Sequence, residues 1–294
     1  MTTNQPTKEG TCPFPYEGET YHTYFKIFGD LENRTRRPLI VLHGGPGLTH
    51  EAGLPLSDLA VTANIPVIFY DQLGNGRSSH IKDKPVEFWS ISLFIEELVN
   101  LLSYLNVSND FDLFGHSWGG VLGSEFIVQR QPAGLKHFIP SNSLASVALW
   151  MQSTMELIQP MGEDVKEGIK LGMSNLEKYW AALQVLHAEH GCRLKPMPQE
   201  YYDQMSSIFG PNGDPTVCSA PILKGWTIID RLHLIKVPTF VINGRYDIAQ
   251  DYVVKPFFEK IEKVKWVTFE SSSHMPFLEE RERFMKLVDE FLAI

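Results

Sequence analysis

Short apolar runs alternate along the chain with longer segments in which apolar residues recur every three or four positions. The runs predict strands, most of them buried on both faces of a sheet. These strands are expected at 21–28, 38–42, 66–70, 111–114, 238–243 and 265–269. Residues 91–105 carry an apolar stripe at helical spacing, and a last helix is predicted over 280–292. This alternation favours an α/β fold with a mostly parallel central sheet flanked by helices.

Residues 149–220 break this alternation. Helices are predicted at 151–158 and 176–189, a passage rich in proline and glycine follows, and no buried strand is indicated. The simplest interpretation is a helical cap inserted between two strands of the sheet, where it covers a site. The core of the fold then comprises residues 1–148 and 221–294. A second independent domain is the alternative, given the usual sizes of domains.

Composition and charge narrow the classes of function. The 294 residues carry a formal net charge of −9, which argues against a nucleic-acid or anionic membrane partner. Cys12, Cys192 and Cys218 are too few and too far apart for a disulfide framework or a metal-ligand pattern. No apolar run reaches the roughly 18 residues of a transmembrane helix, and residues 1–6 lack the apolar core of a signal peptide. We therefore expect a cytoplasmic protein, of an oligomeric state that the sequence does not indicate.

The strongest chemical motif is the Gly-His-Ser-Trp-Gly sequence at 115–119, which fits G-x-S-x-G. It follows the predicted strand 111–114, and small residues after it open an apparent helix. A strand, a tight turn and a helix are the setting of a nucleophile elbow, in which flanking glycines permit a strained turn. This setting predicts Ser117 as a catalytic nucleophile. The alternative is a chance match between common residues.

A serine nucleophile needs a base, and the base needs a third group to orient it. In folds with a nucleophile elbow the chain order is serine, acid, histidine, with the last two on loops after late strands. Asp247 follows the predicted strand 238–243, and His274 follows the predicted strand 265–269. We predict that they complete a catalytic triad with Ser117. The alternatives are the acids Asp251 and Glu270 and three histidines that follow no such strand, His187, His190 and His233.

A second glycine-rich sequence, His-Gly-Gly-Pro-Gly at 43–47, directly follows the predicted strand 38–42. A backbone N–H of this loop and that of Trp118 are predicted to form an oxyanion hole, because small residues let the main chain approach a developing negative charge. We also expect His43 and Gly44 to contact the substrate, His43 mainly by ordering the loop through a hydrogen bond. The alternative is a tight turn without chemistry.

These motifs, together with the Asp-Gln-Leu-Gly-Asn-Gly-Arg-Ser sequence at 71–78, resemble those of the proline iminopeptidases and the related L-amino-acid amidases. The resemblance spans nearly the whole chain. It implies an α/β-hydrolase fold with a helical cap, and either removal of an N-terminal residue, often proline, or hydrolysis of an amino-acid amide. It also implies roles for particular residues, namely the triad Ser117, Asp247 and His274 and the oxyanion donors Gly45 and Trp118.

The chain departs from this family where several members hold the free amine of the substrate. Those members carry an acidic residue directly after the triad acid, where this chain has Ile248. Another acid lies before the cap returns to the core, and Asp214 is the candidate here. A cationic amine buried without a carboxylate binds poorly, so the departures favour a neutral amide, ester or lactone as an alternative substrate. Other cap acids that remain candidates are Glu156, Glu163 and Glu200.

The loop 71–78 and the aromatic residues of the cap have two interpretations each. The loop could shape the floor of a pocket, but we favour a structural role in which Asp71 pairs with Arg77 and holds a glycine-rich turn. The aromatic residues could line an apolar substrate pocket, although most are expected in the core. Trp226 is the aromatic residue that we assign to substrate binding.

The sequence therefore predicts a serine hydrolase that acts on a small molecule or short peptide and needs no metal or organic cofactor. The first hypothesis is cleavage of an amide bond through an acyl-enzyme, as in a proline iminopeptidase or L-amino-acid amidase. An esterase or lactonase acting on a neutral small molecule is the second. A non-hydrolytic lyase or binding protein is the third, because a fold does not determine a function.

Overall fold

A computed structural model describes residues 5–294, so most of the polar segment 1–6 lies outside the described residues. Eight strands form one sheet in the order β1-β2-β4-β3-β5-β6-β7-β8, in which β1 pairs antiparallel with β2, β2 pairs antiparallel with β4, and the other pairs are parallel. The prediction of a mostly parallel sheet is confirmed. The strands are β1 (Lys8–Tyr16), β2 (Glu19–Phe28), β3 (Leu39–Leu42), β4 (Val67–Tyr70), β5 (Phe111–His116), β6 (Leu135–Ser141), β7 (Thr239–Gly244) and β8 (Val264–Phe269).

Sequence patterns predicted six of these strands and missed β1 and β6. The edge strand β1 contains Pro13 and Pro15, residues that ordinarily count against a strand because they cannot donate to the ladder. In β6 a lysine and a histidine interrupt the apolar run. His137 is nevertheless buried, because its Nδ1 lies 2.8 Å from Asp112 Oδ1 on the neighbouring strand. A partner from another strand cannot be seen in a local pattern.

Helices cover the sheet and account for most of the remaining chain. The α-helices are α1 (Asp58–Thr62), α2 (Ile91–Tyr104), α3 (Trp118–Arg130), α4 (Val147–Ile158), α5 (Glu163–Leu171), α6 (Leu176–His190), α7 (Gln199–Phe209), α8 (Thr216–Ser219), α9 (Asp251–Lys260), α10 (Pro276–Glu279) and α11 (Arg281–Leu292). Short 3-10 helices occupy Glu51–Ser57, Val86–Phe88, Gly172–Ser174 and Ile229–Leu234. Across the part of the chain that the structure describes, none of the helices combines the length and apolar character that crossing a bilayer requires.

Helix α2 shows how the local sequence produces an element. Its apolar stripe faces the core, with Phe94, Leu98 and Leu101 buried. Ser90 caps the helix, because its Oγ accepts a hydrogen bond from the Leu93 N–H at 3.2 Å. Such a cap satisfies one of the N–H groups that the first turn leaves without a partner.

The helices α4 to α8 lie between β6 and β7, in the segment for which the sequence indicated no strand. Two of these helices pack against loops that follow strands of the sheet. Leu186 of α6 and Tyr201 of α7 belong to the same apolar cluster as Ile248, after β7, and Met275, after β8. This shared packing favours an insertion over an independent domain. The boundaries 1–148, 149–220 and 221–294 stay a prediction.

The order of the strands determines where a site can form. Strand β3 lies between β4 and β5, so the chain leaves β3 for one side of the sheet and later returns to the other side. The carboxyl ends of neighbouring parallel strands with diverging connections form a crevice in which ligands bind. The loop 43–47 follows β3, and Ser117 follows β5, so both meet at this crevice.

The loop 71–78 has the structural role that the sequence favoured, but the pairing of Asp71 with the Arg77 side chain is wrong. The Asp71 carboxylate accepts hydrogen bonds from the backbone N–H of Arg77 at 3.0 Å and from the backbone and ring of His50 at 3.1 and 2.7 Å. The Arg77 guanidinium contacts the Tyr24 hydroxyl at 2.6 Å and Glu9 at 3.2 Å. Asp71 therefore holds its loop through main-chain donors.

Glu97 holds the same loop through a backbone N–H group. Its two carboxylate oxygens lie 2.9 and 3.0 Å from the Leu73 N–H, and the Thr23 hydroxyl donates to Oε1 at 2.6 Å. The side chain is fully buried, and this burial raises the pKa of Glu97 from 4.5 to about 8. Because the folded pKa is raised, the stabilising protonated form is lost as the pH rises through 8.

We expect Glu97→Gln to remove this pH dependence, because an amide keeps an acceptor oxygen and does not titrate. The free energy of unfolding of the wild type should fall relative to that of the variant between pH 5 and pH 9, by at most about 1.4 kcal/mol per unit of pKa shift. Urea unfolding at pH 5 and pH 9 measures this free energy for both proteins. Glu282→Gln, at an exposed position of α11, is the control and should track the wild type. The same change in the free energy of unfolding with pH in the wild type and in Glu97→Gln would contradict a raised pKa of Glu97.

Candidate active site

Ser117 occupies a sharp turn between β5 and α3. Its φ of 52° and ψ of −116° lie in a region that a non-glycine residue rarely adopts. The turn is possible because both flanking positions are glycine. A Cβ on Gly115 would overlap the Gly119 carbonyl, and one on Gly119 would overlap the Leu42 carbonyl at the end of β3. The structure thus has the strand, strained turn and helix that the motif at 115–119 predicted.

Neighbouring segments hold this turn in place. The Ser117 N–H donates to the Ser141 carbonyl at 2.9 Å, and the Ser117 carbonyl accepts from the Ser143 hydroxyl at 2.7 Å. Ser141 ends β6, the strand that sequence patterns missed, and Ser143 lies two residues beyond it. The Ser117 side chain itself faces a cavity. Its backbone strain is therefore maintained by tertiary contacts.

His274 and Asp247 form a close pair in the same region. The His274 Nδ1 lies 2.6 Å from Asp247 Oδ1. Asp247 is fully buried, and it also accepts from the Ala249 N–H at 2.9 Å and from Asn142 Nδ2 at 2.6 Å. The His274 carbonyl lies 2.9 Å from His116 Nε2. This arrangement directs Nδ1–H of His274 toward the carboxylate and leaves Nε2 to face the cavity.

The alternative acids and two of the alternative histidines lie outside this cavity. Asp251 and Glu270 both pair with the Arg245 guanidinium, at 3.1 and 2.8 Å. His190 Nδ1 lies 2.8 Å from the Tyr246 carbonyl. Neither acid lines the cavity, and the same holds for His190 and His233.

His187 lines the cavity, a position that its sequence context did not predict. Its Nδ1 lies 2.8 Å from the Tyr201 hydroxyl. Burial, reinforced by repulsion from His274, lowers the pKa of His187 to about 3. The pKa of His116 is likewise lowered, chiefly by burial. Both imidazoles are therefore neutral at pH 7.

The loop 43–47 brings its main chain to the cavity. Gly44 and Gly45 line it, and Gly45 has a φ of 122°, which favours glycine. His43 is buried behind the loop, with Nδ1 2.8 Å from the Gly44 carbonyl and Nε2 accepting from the Gln72 N–H at 3.0 Å. Burial lowers the pKa of His43, so it is neutral and orders the loop. The structure does not place the His43 ring among the lining residues.

The cavity measures about 370 Å³ and lies between the carboxyl edge of the sheet and the helices α4 to α7. Trp150 of α4 packs against the edge of His274, with ring centroids 5.6 Å apart. Most of the lining is apolar, and no aspartate or glutamate of residues 5–294 belongs to it. The predicted site residues that line it are Gly44, Gly45, Ser117, Trp118 and His274, with Asp247 directly behind.

Two predicted substrate contacts, Asp214 and Trp226, are corrected by the structure, which places neither side chain in the cavity. Asp214 accepts from the Thr216 N–H and hydroxyl at 3.1 and 2.6 Å and pairs with His80 Nδ1 at 2.7 Å. Trp226 Nε1 donates to Glu125 at 2.8 Å. These partners already satisfy both groups, and two of them, His80 and Glu125, lie more than 100 positions away in the sequence. The other cap acids, Glu156, Glu163 and Glu200, do not line the cavity either.

Ile248 does line the cavity, next to the Asp247 that orients His274. Its carbonyl accepts from the Ser153 hydroxyl at 2.6 Å, which ties this loop to α4. The position at which the family resemblance implied an acid is therefore apolar and at the site in this chain.

Sequence reasoning missed Asn142, Ser143 and Gln204. Asn142 has a φ of 53° directly after β6, and it holds the Asp247 carboxylate. The Ser-Asn-Ser sequence at 141–143, which begins at the last residue of β6, is a signal for a functional loop, but only once β6 is recognised as a strand. Gln204 lies in α7 and lines the cavity.

Among residues 5–294, one group of side chains lies close enough together to hold a metal ion, namely His50, Glu51 and Asp71. The His50 Nδ1 and the Asp71 carboxylate are already hydrogen bonded to each other at 2.7 Å, and neither lines the cavity. This pairing explains the cluster as a support of the loop 71–78.

Comparisons with known proteins agree with this geometry. A model of the alpha/beta hydrolase family matches residues 39–287. The chain is similar to a proline iminopeptidase of Clostridioides difficile, with 32% identity over 97% of each chain. It is also similar to the crystal structure of VinJ (37% identity, TM-score 0.89, 98% of this chain and 99% of that one). The crystal structure of a proline iminopeptidase from Mycobacterium smegmatis matches with 31% identity and a TM-score of 0.84, over 97% and 98% of the two chains.

We expect Gly119→Ala to destabilise the fold, because its new Cβ overlaps backbone atoms of β3 that cannot move independently. The free energy of unfolding should fall by about 2 kcal/mol or more in urea titrations. Gly10→Ala is the matched control, since a Cβ there meets only the Phe25 ring at an ordinary 3.5 Å. Equal stability of the two variants would show that the close approach at Gly119 is not a constraint.

Proposed function

Because the chain belongs to the α/β-hydrolase family, and within it to the proline iminopeptidases and their relatives, we propose that it is a serine hydrolase that cleaves an amide bond through an acyl-enzyme. One observation carries this proposal. Ser117 lies in a strained turn and lines the same cavity as His274. The Nδ1 of His274 lies 2.6 Å from Oδ1 of the buried Asp247. The substrate is a small molecule or short peptide, which suits a cavity of about 370 Å³.

The proposed chemistry begins at Ser117. Its Oγ forms a bond to the substrate carbonyl carbon while His274 Nε2 takes the hydroxyl proton. The C–N bond then breaks, and the same proton passes to the leaving amine. Water attacks the acyl-enzyme with His274 again as the base, which releases a carboxylic acid and restores the Ser117 hydroxyl. Asp247 keeps the required tautomer and stabilises the imidazolium throughout.

The negative charge on the tetrahedral intermediate needs donors. Trp118 opens α3, so its N–H lies at the positive end of a 13-residue helix. Gly45 follows β3 and lines the cavity beside it. We assign the oxyanion to these two N–H groups, each of which contributes about 3 kcal/mol in comparable sites.

A second candidate is an esterase or lactonase that acts on a neutral molecule. The observation that favours it is the lining itself, which holds Ile248 and, within residues 5–294, no carboxylate for a cationic amine. The catalytic groups and steps would be the same, with an alkoxide as the leaving group. A p-nitrophenyl ester and a p-nitroanilide of one acyl group separate the two candidates.

We expect Ser117→Ala to lower kcat/KM by about 10⁴-fold or more, because it removes the nucleophile and leaves the binding cavity intact. Steady-state assays on the p-nitroanilide and the p-nitrophenyl ester measure the change. Circular dichroism and the melting temperature should match those of the wild type.

Labelling by a fluorophosphonate provides an independent readout. The wild type should be modified at Ser117 and the Ser117→Ala variant should not, while the exposed Ser103→Ala control labels normally. Full activity of Ser117→Ala would refute the mechanism. An unlabelled, inactive wild type that still binds small ligands would favour the third hypothesis, a lyase or binding protein.

A further inference from the structure

His116, the residue directly before Ser117, ends β5 and lines the catalytic cavity. Its two ring nitrogens have different surroundings. Nε2 lies 2.9 Å from the backbone carbonyl of His274, whereas Nδ1 makes no hydrogen bond to any of residues 5–294. Nδ1 is nevertheless not among the fully buried polar atoms that lack a partner, so it retains accessible surface. Because the residue is only 6% exposed and lines the cavity, that surface opens into the cavity.

The bond to His274 determines which nitrogen of His116 carries the ring proton. A carbonyl oxygen has no hydrogen to donate, so Nε2 must be the donor and therefore carries the proton. Burial lowers the pKa of His116 well below its ordinary value, so the second nitrogen stays unprotonated at pH 7. Nδ1 consequently presents a lone pair to the cavity and acts as an acceptor.

The position of Nδ1 relates this acceptor to the scissile bond. A Cβ placed on Gly44 would lie 3.0 Å from Nδ1 and 3.6 Å from Ser117 Cβ, so Nδ1 is close to both the loop 43–47 and the nucleophile. In the proposed reaction the leaving group must contact His274, which protonates it. A donor that reaches Nδ1 beside Gly44 therefore belongs to the acyl part of the substrate, next to the carbonyl under attack.

The lining of the cavity restricts the charge of that donor. No aspartate or glutamate of residues 5–294 belongs to the lining, and His187 in the same wall is neutral. An ammonium group would lose its hydration there without gaining a carboxylate, which is unfavourable. A hydroxyl or an acylated amine also donates a hydrogen bond and carries no charge. In a largely apolar cavity such a bond is stronger than in water.

We propose that His116 is a specificity-determining residue, whose Nδ1 accepts a hydrogen bond from an uncharged O–H or N–H group on the carbon next to the scissile carbonyl. The substrate class is thus an amide or ester of a 2-hydroxy acid or of an N-acylated amino acid. This inference rests on the proposed hydrolase function, but the contact that it assigns is tested by binding, without catalysis.

The binding test uses the full chain with Ser117→Ala, so that cleavable compounds serve as ligands. Isothermal titration calorimetry at pH 6.5 compares the p-nitroanilides of three acyl groups. L-Lactyl carries the hydroxyl, isobutyryl replaces it by a methyl group of similar size, and L-alanyl replaces it by an ammonium group. We expect the lactyl compound to bind more tightly than either of the others.

Two substitutions of His116 separate its two nitrogens. The amide of His116→Gln reaches the position of Nε2 and places no acceptor at that of Nδ1. It should lower the ratio of the isobutyryl Kd to the lactyl Kd about tenfold. The Oδ1 of His116→Asn takes the place of Nδ1 as an acceptor, so this variant should keep most of the preference for the lactyl compound.

Fluorophosphonate labelling should rank the same two variants in the opposite order. In the protein that retains Ser117, His116→Asn removes the donor to the His274 carbonyl and His116→Gln replaces it. We therefore expect His116→Asn to be labelled more slowly than His116→Gln. A merely structural role of His116 would instead lower the binding preference and the labelling together. Ser103→Ala, at an exposed position of α2, is the control and should match the wild type in both measurements.

The proposal is overturned if His116→Gln leaves the ratio of the two Kd values unchanged, or if the two variants rank in the same order in both measurements. It is also overturned if the isobutyryl or the alanyl compound binds more tightly than the lactyl compound, or if none of the three binds measurably.

Failure of the hydrolase function gives a different result. In that case the wild type is neither labelled by fluorophosphonate nor active on the lactyl compound, while the His116-dependent ratio of Kd values persists. Normal labelling and activity of the wild type, together with a ratio that does not depend on His116, would refute the His116 contact alone.

Discussion

The site depends on a steric constraint at the start of α3. Where β5 turns into this helix, the main chain passes so close to the end of β3 that no side chain fits at Gly119, and none fits at Gly115 on the other side of the turn. The constraint places Ser117 at the apex of the turn in a strained conformation. It also brings the loop 43–47, which follows β3, against the first turn of α3. Ser117 and the main chain of the loop 43–47 thus meet as a result of backbone packing.

Buried polar groups in this region differ in the number of partners that the protein supplies. Asp247 has three donors within the protein, from His274, Ala249 and Asn142. A buried carboxylate needs such partners, so this region is complete without a substrate. The amide nitrogen of Gln204 is buried to a similar extent and has none among residues 5–294.

The cavity is lined mainly by uncharged groups. His187 and His116 remain neutral because burial lowers the pKa of each. Ile248 follows Asp247 and lines the cavity, and Asp214 is held by His80 outside it. The loops at the sheet edge carry the motifs that resemble the family, and the lining contributed by the helices α4 to α7 is largely apolar.

The amino-acid sequence by itself determined the alternating fold, the elbow at 115–119 and the chain order of Ser117, Asp247 and His274, because strand periodicity and glycine requirements are local properties. Only the tertiary structure decided what the helices α4 to α8 present to the site. Asp214 is a plausible amine ligand in the sequence, yet its carboxylate bonds to a histidine 134 positions away. Gln204 reads as an ordinary polar residue of an amphipathic helix, yet it is buried in the cavity wall. Which face of an inserted helix meets the sheet depends on contacts between residues far apart in sequence, and a local pattern does not contain that information.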